Sequence, residues 1–214
     1  MRKCLFAVCL WMVLITVPAA ANNLPTFTNP GYYEVVGVAP NDVLNIRSEP
    51  SASADIVGSF MPGAAPIEVI GTSGNWARVI AGEGNGWVSM SFLSEIDPGR
   101  IGNSALPVGL SCFGTEPFWD LDFETSSEAA YSDLGGDIEA RLDIVSGSRA
   151  AGRPNVDTVW MRVFGWLPAA AIVRREICSD GMSDRDYGYA VGFSVNPPGG
   201  PRTLEGCCWL RPPQ

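Results

Sequence analysis

Short strand-like segments recur along this chain about every eight to twelve residues, separated by clusters of Gly, Pro, Asn and Ser. No long apolar stripe at helical spacing is present, so helices are expected to be short or absent. This regular spacing predicts an all-β fold made of small barrels or sandwiches. The clearest segments are Tyr33–Val38, Ile56–Phe60, Pro66–Ile70, Trp76–Ala81 and Trp87–Met90.

The N-terminus has the three parts of a secretory signal peptide: a basic region, an apolar run and a small-residue cleavage site. These parts are Arg2 and Lys3, the run from Cys4 to Val17, and Ala19–Ala21 after Pro18. We predict a signal peptide over residues 1–21, cleaved after Ala21, and a periplasmic or secreted mature protein. The alternative is that this segment is retained as a membrane anchor.

Composition divides the mature chain into two modules. Residues 22–30 are polar and are predicted to be a disordered leader, and residues 31–97 hold the first module. Residues 98–108 are loop-like and are predicted to be a linker to the second module, residues 109–214. In the second module, apolar residues at 119, 121 and 123 alternate with acidic ones, as in a half-buried antiparallel strand. We expect this module to be a small antiparallel β-barrel or sandwich.

Four cysteines follow the predicted signal peptide, all in the second module. An even number in an exported chain predicts disulfides, and the paired C-x2-C spacing of structural zinc sites is missing. A bridge between the neighbours Cys207 and Cys208 is excluded, because their Cα atoms are only about 3.8 Å apart. We therefore expect Cys112 and Cys178 each to pair with one of these two neighbours. In a strand, Cys207 and Cys208 would face opposite sides.

The charge of the chain disfavours several partners. Loss of Arg2 and Lys3 takes the formal net charge from −9 to −11. An acidic surface repels nucleic-acid phosphates and anionic lipid, so binding to nucleic acid or to a membrane surface is not expected.

The mature chain contains no His and no Lys. Ser–His, Cys–His and Ser–Lys nucleophile pairs are therefore impossible in it. A glycosidase mechanism, which needs only two carboxylates, is not excluded by this absence. However, the acidic residues show no arrangement in the sequence that would indicate a substrate groove. We expect a protein that is not an enzyme and has no cofactor or metal.

The most specific feature of the chain is a series of motifs in the first module. LNIRSEP (residues 44–50) is followed by GNWARV (74–79), GWV (86–88) and then Phe92-Leu93. Their order and spacing resemble the bacterial SH3 (SH3b) family. The resemblance implies an SH3-like small barrel that is non-catalytic and that binds peptidoglycan, its peptides or a protein, or serves as a spacer.

The candidate ligand-binding residues in this module are Asn45, Arg47, Trp76 and Trp87. Aromatic faces bind sugars and peptides well, although packing at the barrel rim is the favoured role of both tryptophans. Arg47 can also satisfy backbone carbonyls or a carboxylate near the following loop. Positive φ is expected at three glycines between strands, Gly63, Gly74 and Gly86.

The second module contains CFGTEPFW (112–119), CSDGMSDR (178–185) and LEGCC (204–208). This set resembles a proteobacterial exported domain of unknown function. In fold, that domain is similar to small periplasmic β-barrels such as those of heat-shock lipoproteins and lysozyme inhibitors. Glu116 precedes Pro117, and Arg185 is its candidate ion-pair partner; the alternative is two exposed charges.

Asp180, Asp184 and Asp186 suggest calcium, but the segment 180–188 lacks the EF-hand order. A turn rich in short polar side chains is the favoured interpretation.

These features predict an exported, non-catalytic cell-envelope binding or scaffold protein whose SH3-like module contacts peptidoglycan or a protein partner. The alternative is a periplasmic inhibitor or stress-response factor whose acidic second domain binds a cationic enzyme such as lysozyme.

Overall fold

The computed structural model describes residues 28–133, 138–163, 168–197 and 199–211. They form two β domains, so the predicted all-β fold is confirmed. The predicted signal peptide lies outside the described residues, as does most of the predicted leader. The described residues form no helix that could span a membrane.

The first domain is a small barrel-like arrangement of two antiparallel sheets. Its strands are β1 (Gly31–Val35), β2 (Leu44–Arg47), β3 (Ile56–Phe60), β4 (Ile67–Val69), β5 (Gly71–Ser73), β6 (Trp76–Ala81), β7 (Gly84–Ser89) and β8 (Leu93–Glu95). One sheet has the order β4-β1-β8 and the other β3-β2-β7-β6-β5. Alternate side chains of β2, β6 and β7 point into the core, which includes Leu44, Ile46, Ala77, Val79 and Val88. A 3-10 turn over Met90–Phe92 leads into β8.

Two of the three inter-strand glycines have the predicted backbone conformation, with φ of 73° at Gly63 and 57° at Gly74. The prediction is wrong for Gly86, which lies inside β7 and does not have positive φ. A Cβ at Gly86 would lie 3.0 Å from the carbonyl oxygen of Arg47. Glycine is therefore needed there for the close approach of two strands and not for its backbone freedom.

The second domain is a closed barrel, which decides between the two architectures expected from the sequence. Each strand pairs antiparallel with the next, and the last pairs with the first, so no sheet edge stays open. Side chains fill the interior, among them Trp119, Tyr131 and Phe193. The strands are β9 (Leu110–Thr115), β10 (Phe118–Asp122), β11 (Glu128–Asp133), β12 (Glu139–Arg149), β13 (Val156–Arg162), β14 (Ala169–Ser179), β15 (Asp186–Val195) and β16 (Arg202–Leu210).

The buried indole of Trp119 lies beside glycines of two of the sequence motifs. Gly114 is the cross-strand neighbour of Trp119. A Cβ at Gly114 would lie 2.7 Å from Cδ1 of the indole, and one at Gly206 would lie 3.1 Å from its Cζ2. The indole also packs on Phe193, with ring centroids 5.7 Å apart. Gly114 therefore leaves space that the largest core side chain occupies, whereas a Cβ at Gly206 would first meet the backbone carbonyl of Phe113.

Two disulfides, Cys112–Cys208 and Cys178–Cys207, confirm the predicted pairing of each single cysteine with one of the neighbours. Cys112 and Cys208 are in register on β9 and β16, and both belong to the barrel core. Cys207 lies outside this core, and its bridge to Cys178 joins β16 to β14 across β15. The neighbouring cysteines thus face opposite sides of the strand, as expected.

Residues 98–108, the predicted linker, contain two buried apolar side chains. Ile101 and Leu106 are fully buried and belong to the core of the second domain. Between them, the Ser104 hydroxyl donates to the Ile101 carbonyl at 2.7 Å and accepts from the Leu106 N–H at 3.1 Å. The segment connects the domains, but its two apolar side chains anchor it to the barrel.

Thr28, near the end of the predicted leader, makes hydrogen bonds to the second domain. The backbone N–H of Thr28 donates to the Arg175 carbonyl at 3.3 Å, and its hydroxyl donates to the Gly188 carbonyl at 2.6 Å. These two bonds hold Thr28 against strands of the second domain.

A hairpin of the first domain docks on the second domain. Nη2 of Arg78 lies 2.6 Å from Oδ2 of Asp186. The Asn85 amide accepts from the Asp186 N–H at 2.7 Å and donates to its carbonyl at 3.1 Å. These contacts fix β6 and β7 against the start of β15.

A second part of the interface buries polar groups of β1 and β4. Tyr32, Glu68 and Ile70 are buried, yet none belongs to the core of either domain. The Tyr32 hydroxyl is hydrogen-bonded to the Tyr189 hydroxyl, and the Leu210 N–H donates to Glu68. The second domain therefore covers a face that the first domain alone would expose.

Candidate binding site

A groove of about 560 Å³ crosses the surface of the first domain. It runs between the loop that joins β1 to β2 and the start of β6. Three of the four predicted ligand-binding residues line it. The main lining side chains are Val38, Asp42, Asn45, Arg47, Trp76 and Phe92.

Asn45 and Arg47 point away from the core because the buried residues of β2 are the alternate ones, Leu44 and Ile46. Nη1 of Arg47 donates to the Ala54 carbonyl at 2.9 Å, so Arg47 satisfies a backbone carbonyl, one of its two expected structural roles. In the described part of the chain, the side-chain amide of Asn45 makes no hydrogen bond. Its donor and acceptor are therefore free for a ligand.

Aromatic side chains form one wall of the groove. Trp76 is half-buried, and Phe92 is 38% exposed. The Asn75 amide next to Trp76 donates to the Ser91 hydroxyl at 2.9 Å, and the Met90 N–H donates to the Asn75 carbonyl at 2.9 Å. These bonds fix the 3-10 turn that carries Phe92 against the turn that precedes Trp76.

Trp87 lies outside this groove, although it is on the same sheet and is also half-buried. It stands in cross-strand register with Arg47 on one side and Arg78 on the other. Arg47 lines the groove, and Arg78 pairs with Asp186 of the second domain. Trp87 therefore lies between the groove and the domain interface. The structure thus brings Asn45, Arg47 and Trp76 together in one groove and places Trp87 beside it.

The predicted ion pair between Glu116 and Arg185 is not formed. Glu116 is exposed, whereas Arg185 belongs to the domain interface. Nε of Arg185 donates to the Gly82 carbonyl at 2.6 Å, and its Nη2 lies 3.1 Å from Oε1 of Glu83. Arg185 is therefore paired across the interface instead of within its own domain.

The acidic segment beside Arg185 forms a turn, as the favoured interpretation predicted. Oδ1 of Asp180 accepts from the N–H groups of Met182 and Ser183 at 2.9 and 2.8 Å. Partial burial opposes ionisation of Asp180, but these donors outweigh it and lower the pKa of its carboxyl. In the described ranges, no group of three or more His, Cys, Asp or Glu side chains is placed to hold a metal ion.

Glu68, a carboxyl group buried at the interface, was not identified from the sequence. Burial raises the pKa of its carboxyl to about 7, against the opposing effect of the Leu210 and Gly188 N–H groups. One of its oxygens, Oε1, has no hydrogen-bond partner in the described part of the molecule.

Comparisons with known proteins agree with the geometry of the first domain. Residues 42–94 match the family model of the bacterial SH3 domain. Neither the curated proteins nor the solved structures give a match to the chain. The matched segment contains all four predicted ligand-binding residues and most of the groove. The first domain is thus similar to the bacterial SH3 domains, as its motif series predicted.

Proposed function

We propose that this chain is an exported, non-catalytic cell-envelope protein that binds peptidoglycan peptides, or a protein partner, through the groove of its SH3-like domain. The observation that carries the proposal is the convergence of Asn45, Arg47 and Trp76 on one groove within the segment that matches bacterial SH3 domains. Peptidoglycan is the partner to test first.

The chemistry of the groove suits an extended peptide. Trp76 and Phe92 offer apolar faces, and Asn45 offers both a donor and an acceptor for a peptide backbone. The hydrogen bonds to the second domain use other residues, such as Arg78 and Asn85. Docking of the two domains therefore leaves the groove open.

Two further observations support export and the absence of catalysis. Two disulfides are typical of proteins in oxidising compartments. The chain has no His, and its one Lys lies in the predicted signal peptide, so nucleophile pairs that rely on His or Lys are lacking.

Sedimentation of the mature protein with insoluble peptidoglycan tests this function. The protein is expected to sediment with the polymer, and Trp76→Ala should weaken binding about tenfold or more because an aromatic contact is lost. Trp87→Ala is the matched control, since it removes another half-buried indole, one that lies outside the groove. It should change binding less than about twofold.

Failure of the wild-type protein to sediment, or equal losses in the two variants, would contradict the proposal. Salt-sensitive inhibition of lysozyme by the mature protein, without sedimentation, would instead support the inhibitor function expected as the alternative. An inhibitor of that kind would act through the acidic second domain.

A further inference from the structure

A second polar cleft lies between the two domains, away from the groove. It has a volume of about 630 Å³. Residues 29–32, β8 and the residues that follow it form its side toward the first domain, and residues 100–105, β12, β14 and β15 form the other. The cleft therefore exists only when the domains are docked.

Three arginines from different segments line this cleft: Arg100, Arg149 on β12 and Arg175 on β14. Arg149 and Arg175 approach the same carboxylate, that of Asp157, at 3.7 and 3.4 Å. Asp157 is fully buried and does not itself line the cleft. A single negative charge thus lies behind two guanidinium groups, and it cannot neutralise both of them.

The guanidinium groups of these two arginines retain unused donors. The side chain of Arg175 is only 11% exposed, yet it donates no hydrogen bond to any described residue. The bond accepted by Asp157 Oδ1 comes from the Ala105 N–H at 2.9 Å, and Oδ2 accepts none. A nearly buried guanidinium that faces a cleft with free donors is suited to receive an anion, because such donors are costly to leave unpaired.

The hydroxyls of Tyr32 and Tyr189 bond to each other, so at most one hydroxyl proton of this pair is left for a ligand. Tyr32 and Tyr189 line the cleft, and burial raises the pKa of each phenol, so both stay protonated at neutral pH. Arg100 and Arg175 line the same cleft as Tyr32. The cleft also carries two carboxylates, Glu95 and Asp97, both exposed.

We propose that this interdomain cleft binds an amino acid or a short peptide, with the ligand carboxylate on Arg100, Arg149 and Arg175. Guanidinium groups bind carboxylates in a planar, bidentate way. The carboxylates of Glu95 and Asp97 repel phosphates and other polyanions, and they attract an ammonium group on the same ligand. The cleft shares no lining residue with the groove. The proposal for the cleft therefore does not depend on whether the groove binds peptidoglycan.

Titration calorimetry of the mature protein with a panel of free amino acids and dipeptides tests the proposal. At least one is expected to bind, and amidation of its carboxylate should weaken binding about tenfold or more. Acetylation of its amine should weaken binding by a smaller factor. Arg100→Gln and Arg149→Gln, both at exposed positions, should each weaken binding about fivefold to tenfold.

Arg162→Gln is the matched control, because Arg162 is exposed on β13 outside the cleft and its loss changes the net charge equally. It should leave binding unchanged, as should Trp76→Ala in the groove. No binding across the panel, or equal effects of Arg162→Gln and Arg149→Gln, would overturn the proposal. Binding that is insensitive to amidation would overturn it too, whatever the result with peptidoglycan.

Discussion

Replacement of both Cys112 and Cys208 by Ala is expected to lower the free energy of unfolding of the second domain by about 4–5 kcal/mol. This bridge joins residues 96 positions apart. Its loss releases a long loop of the unfolded chain and so raises the entropy of the unfolded state. The bridge also lies in the barrel core, at the seam where β16 closes on β9.

Urea unfolding of the mature protein, followed by near-ultraviolet circular dichroism, measures this effect. The control is the Cys178→Ala, Cys207→Ala double variant, whose bridge spans only 29 positions and lies outside the core. It should cost about 3–4 kcal/mol. If the outer pair cost as much as the inner pair or more, the assigned role of the inner bridge in closing the barrel would be wrong.

The free energy of unfolding is expected to fall as pH rises toward neutrality, because the domain interface buries the carboxyl of Glu68. Glu68 has a pKa of about 7 in the folded protein and 4.5 as its ordinary value. Between these values the folded state holds a proton that the unfolded state has lost, so stability falls with rising pH. The contribution is fully present below about pH 4.5 and is lost by about pH 7, a change on the order of 3 kcal/mol.

The groups that face Glu68 do not cancel this effect. The hydroxyls of Tyr32 and Tyr189 stay protonated over this range, since burial raises the pKa of each. Glu68→Gln keeps the size and hydrogen-bonding ability of the neutral side chain. Its unfolding free energy relative to wild type should therefore rise by about 3 kcal/mol between about pH 4.5 and about pH 7.5.

Urea unfolding at both pH values measures the difference between variant and wild type. Glu34→Gln, which removes an exposed carboxylate of β1, is the control and should show nearly the same difference at both pH values. A pH-independent difference for Glu68→Gln would show that Glu68 is ionised, and therefore hydrated, in the folded protein.

Patterns that depend on one strand and its own core could be read from the sequence. Trp119, Leu121 and Phe123 alternate with acidic residues because the inner face of β10, and the residue that follows it, belong to the barrel core. The geometry of two neighbouring residues excluded a Cys207–Cys208 bridge, but it left open which of the two pairs with Cys112. Three of the groove residues, Asn45, Arg47 and Trp76, followed from a motif series whose spacing reflects the order of the strands.

Features that depend on contacts with another domain or with a distant segment of the chain could not be predicted. Glu68 alternates with Ile67 and Val69, which indicates a solvent-facing side chain, but the second domain covers that face. Ile101 and Leu106 stand in a loop without periodicity, so nothing in the sequence marked them as core residues. Trp76 and Trp87 look equivalent in the sequence, and only the packing of the β1–β2 loop places one of them in the groove.

Amide chemical-shift mapping with a soluble peptidoglycan stem peptide tests the central claim most directly. On ¹⁵N-labelled mature protein, the peptide should shift the side-chain amide of Asn45 and the indole N–H of Trp76. It should leave the indole N–H of Trp87, outside the groove, nearly unchanged. Shifts confined to the second domain, or none at saturating peptide, would contradict the assignment of the SH3-like groove as the binding site.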